Sequence, residues 1–135
     1  MPENVRHAKS DIGHLQYDLD SRVLHIHLFD WAEMSLESTA EHYRIINELT
    51  NNDEYYALIN AENYFSFDDD AFKHTITKEA LGKRRASAHY NSSVANKLNV
   101  QAYNALYLPP IPVKYFDSKE EAMKWIEELK DANPT

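Results

Sequence analysis

The chain has 135 residues, no cysteine, and 22 acidic against 14 basic side chains, which give a formal net charge of −8. This length favours a single domain, and the absence of thiols excludes disulfides, thiolate metal sites and a cysteine nucleophile. The acidic balance argues against binding to nucleic acid or to an anionic membrane surface, because both need a basic face. No apolar run reaches the roughly 20 residues of a membrane span, and the first residues do not resemble a secretory signal. We therefore expect a cytoplasmic protein.

The first predicted elements form a β-hairpin. Residues 14–19 and 22–29 each alternate between apolar and polar side chains, and Asp20 and Ser21 between them favour a turn. The first ten residues and the last five lack apolar periodicity, so we expect them to be without regular structure. The sequence thus predicts one domain over residues 1–135, with an ordered core at about 12–130.

The following segments alternate between the helical and the strand period, and turn or capping residues separate them. In chain order they are a helix at 35–49, a strand at 55–59, a helix at 68–80, a strand at 85–90, a helix at 92–105, a strand at 113–116 and a helix at 117–129. This β-β-α-β-α-β-α-β-α order predicts an α/β fold with a mixed, mostly parallel five-stranded sheet and helices on both of its faces.

The third predicted helix has an apolar face made of Val94, Leu98, Ala102 and Ala105. Residues 83–85, which are all cationic, follow the second predicted helix. Because cations are favourable near the carboxyl end of a helix, we interpret this cluster as structural.

Nearly the whole chain, about residues 12–130, resembles the STAS/SpoIIAA-like domains. The hairpin followed by alternating βα units carries the resemblance. So does the last unit, in which a strand ending at Phe116 precedes an acidic capped helix with Trp125 and Ile126 on its apolar face. The resemblance implies a non-enzymatic regulatory or protein-interaction module without a cofactor, whose partner is another protein or a second copy of this chain.

In the anti-sigma-factor antagonists of that family, a partner kinase phosphorylates a serine at the start of the second helix. The corresponding offset in this chain falls on Asp68 to Asp70, and the nearest hydroxyl group is that of Ser66. Carboxylates imitate a phosphoserine only weakly, because phosphate carries nearly twice the charge. The chain therefore departs from the family's phosphorylation switch.

Aromatic side chains crowd the segment before the second predicted helix, outside predicted regular structure. Such side chains must either fold back on the core or meet a partner. We predict that this 64–70 segment binds the partner protein, with a loop packed over the domain as the alternative. Its members are Tyr64, Phe65, Ser66, Phe67, Asp68, Asp69 and Asp70.

A second candidate surface is the sheet edge where strands end and helices begin, because open α/β sheets bind ligands there. The side chains predicted at this edge are Asp30, Trp31, Asn60, Glu62, Asn63, Asn91, Ser92 and Ser93. A helix beginning after Ser92 or Ser93 could receive an anion, but nearby carboxylates would repel it. The edge is therefore either a partner-binding surface or a set of inert loops.

Two further functions stay open. A carrier or sensor of a small apolar ligand, similar to the Sec14-type domains, would need a closed apolar cavity of at least about 300 Å³. A metal-dependent enzyme could use His25 and His27, which point the same way from a strand but need a third ligand. Polar positions on a sheet face are the alternative for both histidines, and we predict no catalytic residue and no metal.

Overall fold

The computed structural model describes residues 4–63, 65–91 and 93–132, without the side chains of residues 99, 100, 103 and 107. It is an α/β domain with a mixed sheet, which confirms the predicted fold class. The strands are β1 (Val5–Lys9), β2 (Gly13–Asp18), β3 (Val23–Leu28), β4 (Ala32–Met34), β5 (Tyr55–Asn60), β6 (Phe65–Phe67), β7 (Arg84–Tyr90) and β8 (Val113–Phe116). The helices are α1 (Leu36–Leu49), α2 (Asp69–Thr75), α3 (Lys78–Leu81), α4 (Val94–Tyr107) and α5 (Lys119–Ala132).

The main sheet has six strands in the order β1-β2-β3-β5-β7-β8. The pairings of β2 with β1 and β3 are antiparallel, whereas the remaining three are parallel. Strands β4 and β6 form a separate two-stranded parallel sheet. The predicted five-stranded, mostly parallel sheet is therefore corrected to a six-stranded sheet with an antiparallel end.

Strand β1 accounts for the additional strand of the main sheet. Val5 pairs with Asp18 at one end of β1 and Lys9 with His14 at the other, so the prediction that the first ten residues lack regular structure is wrong. Its sequence gives little apolar signal, because an edge strand is held by backbone hydrogen bonds and can keep charged side chains in solvent.

Helices cover both faces of the sheet, as predicted. Successive strand residues point to opposite faces, so Ala57 and Leu58 belong to two different cores. The first core, on the face under α1 and α3, includes Leu15, Leu24, Ile46, Tyr55 and Leu81. The second core, on the face under α5, includes Val23, Tyr56, Ala88, Ala122 and Ile126.

The predicted second helix is divided into α2 and α3. The side chain of Asp68 accepts from the backbone N–H of Ala71 at 2.7 Å and begins α2. A new cap forms at Thr77, whose hydroxyl accepts from Ala80 N–H at 3.1 Å and begins α3. β-Branched residues at 75–77 favour this break, because they lose rotamer freedom in a helix.

Helix α4 turns its apolar face outward. Val94, Leu98 and Leu106 are 76%, 61% and 73% exposed, and the predicted Ala102 and Ala105 of the same face are exposed too. The opposite side is anchored by a polar residue, Asn96, which is 2% exposed. Its Nδ2 donates to the carbonyls of Ala61 at 3.1 Å and Asn63 at 2.9 Å.

Candidate functional site

A cavity of about 130 Å³ lies between the sheet and helices α1 and α2. It is on the first face of the sheet, which is the face that carries the first core. Its floor includes Ile26 and Ile59, which are register partners on β3 and β5 and so point to the same face. Most of the wall is apolar and is contributed by side chains such as Ile12, Leu28, Phe65, Phe67, Phe72 and Ile111. The cavity therefore suits an apolar occupant.

Arg84, the first residue of β7, lines the same cavity and is only 6% exposed. Its Nε donates to the hydroxyl of Tyr55 and its Nη1 to the hydroxyl of Ser87, both at 3.1 Å. The guanidinium carbon lies 5.3 Å from the ring centroid of Tyr43 and 5.4 Å from that of Tyr55. Its Nη2 has no hydrogen-bond partner among the described residues.

The positive charge of Arg84 has no counter-ion in the part of the chain that the structure describes, where no carboxylate lies within 4.0 Å of its guanidinium. Burial raises the pKa of Tyr55, so that phenol is neutral at pH 7 and supplies no negative charge. An arginine keeps its proton in proteins, and an unpaired buried ion is destabilising by several kcal/mol. The cavity is thus bordered by an uncompensated charge.

Two histidines beside the cavity are neutral. Burial, aided by the nearby charge of Arg84, lowers the pKa of His42 to about 3 and that of His89 to about 4. The Nδ1 of His42 is hydrogen-bonded to Ser10 Oγ at 2.7 Å, and the ring of His89 lies 4.9 Å from that of Tyr115. The two rings therefore line the cavity without adding a second positive charge.

The two phenylalanines of the predicted 64–70 segment are built into the domain, whereas its described polar members are exposed. Phe65 is 6% exposed and pairs through the backbone with Ala32, while half-buried Phe67 pairs with Met34. Both rings line the cavity, so these two phenylalanines pack within the domain, as in the alternative interpretation of the segment, and are not exposed for a partner protein. Ser66, Asp68, Asp69 and Asp70 are exposed, and Tyr64 lies outside the described residues. A partner-binding role for the polar members stays a prediction.

Two of the predicted sheet-edge residues, Asn60 and Asn63, brace loops. Asn60 Oδ1 accepts from Glu62 N–H at 3.2 Å, and Asn63 Nδ2 donates to the carbonyl of Leu28 at 3.0 Å. Asp30, Trp31, Asn91 and Ser93 are exposed, and Ser92 lies outside the described residues. None of the described members of this set lines the cavity. A partner-binding role for this edge also stays a prediction.

His25 and His27 share the second face of the sheet, beside Gln16 and His14 of β2. His27 Nε2 lies 3.1 Å from Glu62 Oε1, and burial followed by the charge of Lys119 lowers the pKa of His25. Across the parts of the chain that the structure describes, no three histidine, aspartate or glutamate side chains gather as a metal site. The geometry therefore favours their interpretation as polar sheet positions.

Sequence reasoning missed the role of Arg84 because a β-bulge redirects it. The register runs from Tyr55↔Arg84 to Tyr56↔Ala86, so Arg85 is an extra residue on β7. A bulge of this kind re-aims the neighbouring side chain, and Arg84 reaches the first face although Ala86 belongs to the second core. The interpretation of residues 83–85 as a helix-end cluster is therefore corrected for Arg84. The alternation of apolar and polar residues along a strand does not reveal where a bulge shifts the register.

Among the described residues, no helix combines the length and the apolar character that crossing a membrane requires.

Comparison with known proteins adds a family and no function. The searches of curated proteins and of solved structures gave no match. The model of a family described as a domain of unknown function, DUF7793, matches residues 17–130. Because this match spans most of its length, the chain belongs to the DUF7793 family.

Proposed function

We propose that this domain is a non-enzymatic carrier or sensor that holds one small, largely apolar molecule in the cavity beneath α1 and α2. The observation that carries the proposal is the cavity itself, with an apolar wall and a few polar groups on one side. A cytoplasmic location belongs to the same proposal, because a chain without cysteine has no need of an oxidising compartment.

The size of the cavity restricts the occupant. At about 130 Å³ it is smaller than the closed cavity of at least about 300 Å³ expected of a carrier or sensor of a small apolar ligand, so that expectation is corrected. An apolar cavity of about 150 Å³ is known to accept benzene. The proposed ligand therefore has an apolar body of about one aromatic ring or a short branched chain.

The buried Ser10–His42 pair supports the non-enzymatic part of the proposal. Ser10 Oγ accepts from the backbone N–H groups of Ile12 and Gly13, each at 3.2 Å, donates to the carbonyl of Gly13 at 3.4 Å, and lies 2.7 Å from His42 Nδ1. A nucleophile needs an accessible hydroxyl and a base that takes its proton. Ser10 is 4% exposed, and a histidine with a pKa of about 3 is a weak base at pH 7.

Filling the cavity tests this proposal. Ile111 lines it from the segment between α4 and β8, so Ile111→Trp is expected to occupy the space and weaken binding of benzene, the probe, by at least about tenfold. The measurement is a titration followed by amide chemical shifts. Leu108→Trp is the matched control, because Leu108 lies in the same segment, is 76% exposed and does not line the cavity. No saturable shift in the wild-type protein, or equal binding by the two variants, would contradict the proposal.

A second candidate function, protein binding, is favoured by the exposed apolar face of α4. Val94, Leu98 and Leu106 lie within about one third of the helix circumference, and exposed apolar patches mark interaction sites. The only charged residue of α4 is Lys97. Two copies of this chain, each with a net charge of −8, could meet at this face without opposing their acidic side chains. We therefore propose a second copy as the partner.

Removing the two exposed leucines of α4 tests self-association. Wild-type protein is expected to sediment as a concentration-dependent dimer, whereas the double variant Leu98→Ser/Leu106→Ser is expected to remain monomeric. Its melting temperature should equal that of the wild type at concentrations low enough for the wild type to be monomeric. The control is Leu36→Ser on α1, since Leu36 is also exposed, at 47%, but lies on another helix. A wild-type monomer at every concentration measured would contradict this candidate.

A further inference from the structure

We propose that the molecule held in the cavity is a small carboxylic acid in its ionised form, with its carboxylate bound by Arg84 and its apolar body against the phenylalanines. This inference rests on the proposed function and names the chemical class of the ligand. It starts from an arginine that lines the cavity, is almost fully buried and has no carboxylate partner among the described residues.

The surroundings of Arg84 satisfy its donors only in part. Two of its nitrogens donate to the neutral hydroxyls of Tyr55 and Ser87, while Nη2 has no acceptor within the described residues. The nearby rings of Tyr43 and Tyr55 stabilise the cation but do not neutralise it. A carboxylate is the group that completes such a site, because its planar pair of oxygens matches the donors of a guanidinium.

The other polar groups at the cavity carry no charge. They include Ser87 and His89 of β7, Asn104 of α4, Thr39 and His42 of α1, and Thr75 of α2. Both histidines are neutral, because burial lowers the pKa of His89 to about 4 and that of His42 to about 3. One positive charge with a few neutral donors therefore balances one negative charge, whereas a phosphate would bring nearly two.

The apolar wall selects the rest of the ligand. Phe65, Phe67 and Phe72 contribute adjoining rings, with centroid separations of 6.2 Å for the first pair and 5.3 Å for the second. A flat ring or a short branched chain would bury its surface there. With about 130 Å³ available, the class is a monocarboxylate of roughly the size of benzoate.

Titration with matched probes at neutral pH tests the inference. Benzoate and benzamide have nearly the same shape and differ in charge, and inorganic phosphate tests for a site that accepts any anion. We expect wild-type protein to bind benzoate about tenfold more tightly than benzamide, and phosphate not at all, because a hydrogen bond to a charged group is about twice as strong as one between neutral groups. In Arg84→Gln, the preference for benzoate should disappear while benzamide still binds. Arg85→Gln is the control, since Arg85 lies next in sequence and is ion-paired with Glu54 at 3.2 Å.

The outcomes separate this inference from the proposed function. Equal binding of benzoate and benzamide to wild-type protein would overturn the carboxylate inference and leave the apolar site standing. Binding of phosphate as tightly as benzoate would overturn it as well. Failure of all three probes would overturn the carboxylate inference, and the benzene titration would still decide the proposed function separately. The comparison of the three probes on wild-type protein tests the carboxylate inference even if Arg84→Gln does not fold.

Discussion

Lowering the pH from 6.5 to 5 is expected to decrease the free energy of unfolding by about 2 kcal/mol through His42 alone. In the unfolded chain this histidine takes up a proton with its ordinary pKa of 6.5, whereas burial and Arg84 hold its folded pKa at about 3. The unfolded state therefore binds more protons throughout the interval, so stability falls as the pH falls. His89, with a folded pKa of about 4, acts in the same direction.

Urea unfolding at a series of pH values measures this effect. His42→Gln removes the titrating ring and leaves a group that can bond Ser10, so its unfolding free energy should depend less steeply on pH. An unfolding free energy that stays constant between pH 7 and 5 in the wild-type protein would show that His42 is not held neutral.

Replacing Arg84 by methionine is expected to stabilise the ligand-free protein by about 1–4 kcal/mol. Methionine fills a similar volume without a charge, and its flexible side chain adapts to the space between Tyr43 and Tyr55. Tyr55 keeps a hydrogen-bond partner in this variant, because its hydroxyl donates to the carbonyl of Leu81 at 3.1 Å. The stabilisation would come from removing a buried charge that no anion balances.

Thermal and urea unfolding of ligand-free protein measure the change. Arg85→Met is the matched control and should alter stability by less than about 1 kcal/mol, since its ion pair with Glu54 is partly exposed. If Arg84→Met instead destabilised the protein by several kcal/mol, the guanidinium would be stabilising the ligand-free fold. That result would contradict the inference that Arg84 needs a bound carboxylate.

Most of the long elements could be predicted from the sequence because each has a clear period and a clear end. Ser35 caps α1 as expected, with its hydroxyl accepting from Ser38 N–H at 3.1 Å. Ser93 caps α4. Strands β4 and β6 could not be predicted, because a run of three residues is too short to show a period. Their pairing also joins residues 32–34 to residues 65–67, which are distant in the sequence. The resemblance to STAS/SpoIIAA-like domains stays a prediction.

The candidate site was harder to predict than the fold because it depends on where elements meet. Phe65 and Phe67 stand out in the sequence, but only the β4–β6 pairing decides that both rings line a cavity. The apolar face of α4 is also visible in the sequence. Its outward orientation follows from the two hydrogen bonds of Asn96 on the other side of the helix. The position of Arg84 at the cavity depends on a β-bulge, and no local sequence pattern indicates that bulge.

A crystal structure of the protein with benzoate tests the central claim most directly. We expect the ring to lie among Phe65, Phe67 and Phe72, and a carboxylate oxygen to lie about 2.8 Å from the Nη2 of Arg84. A benzoate bound only at exposed cations on the surface, with the cavity unoccupied, would contradict it.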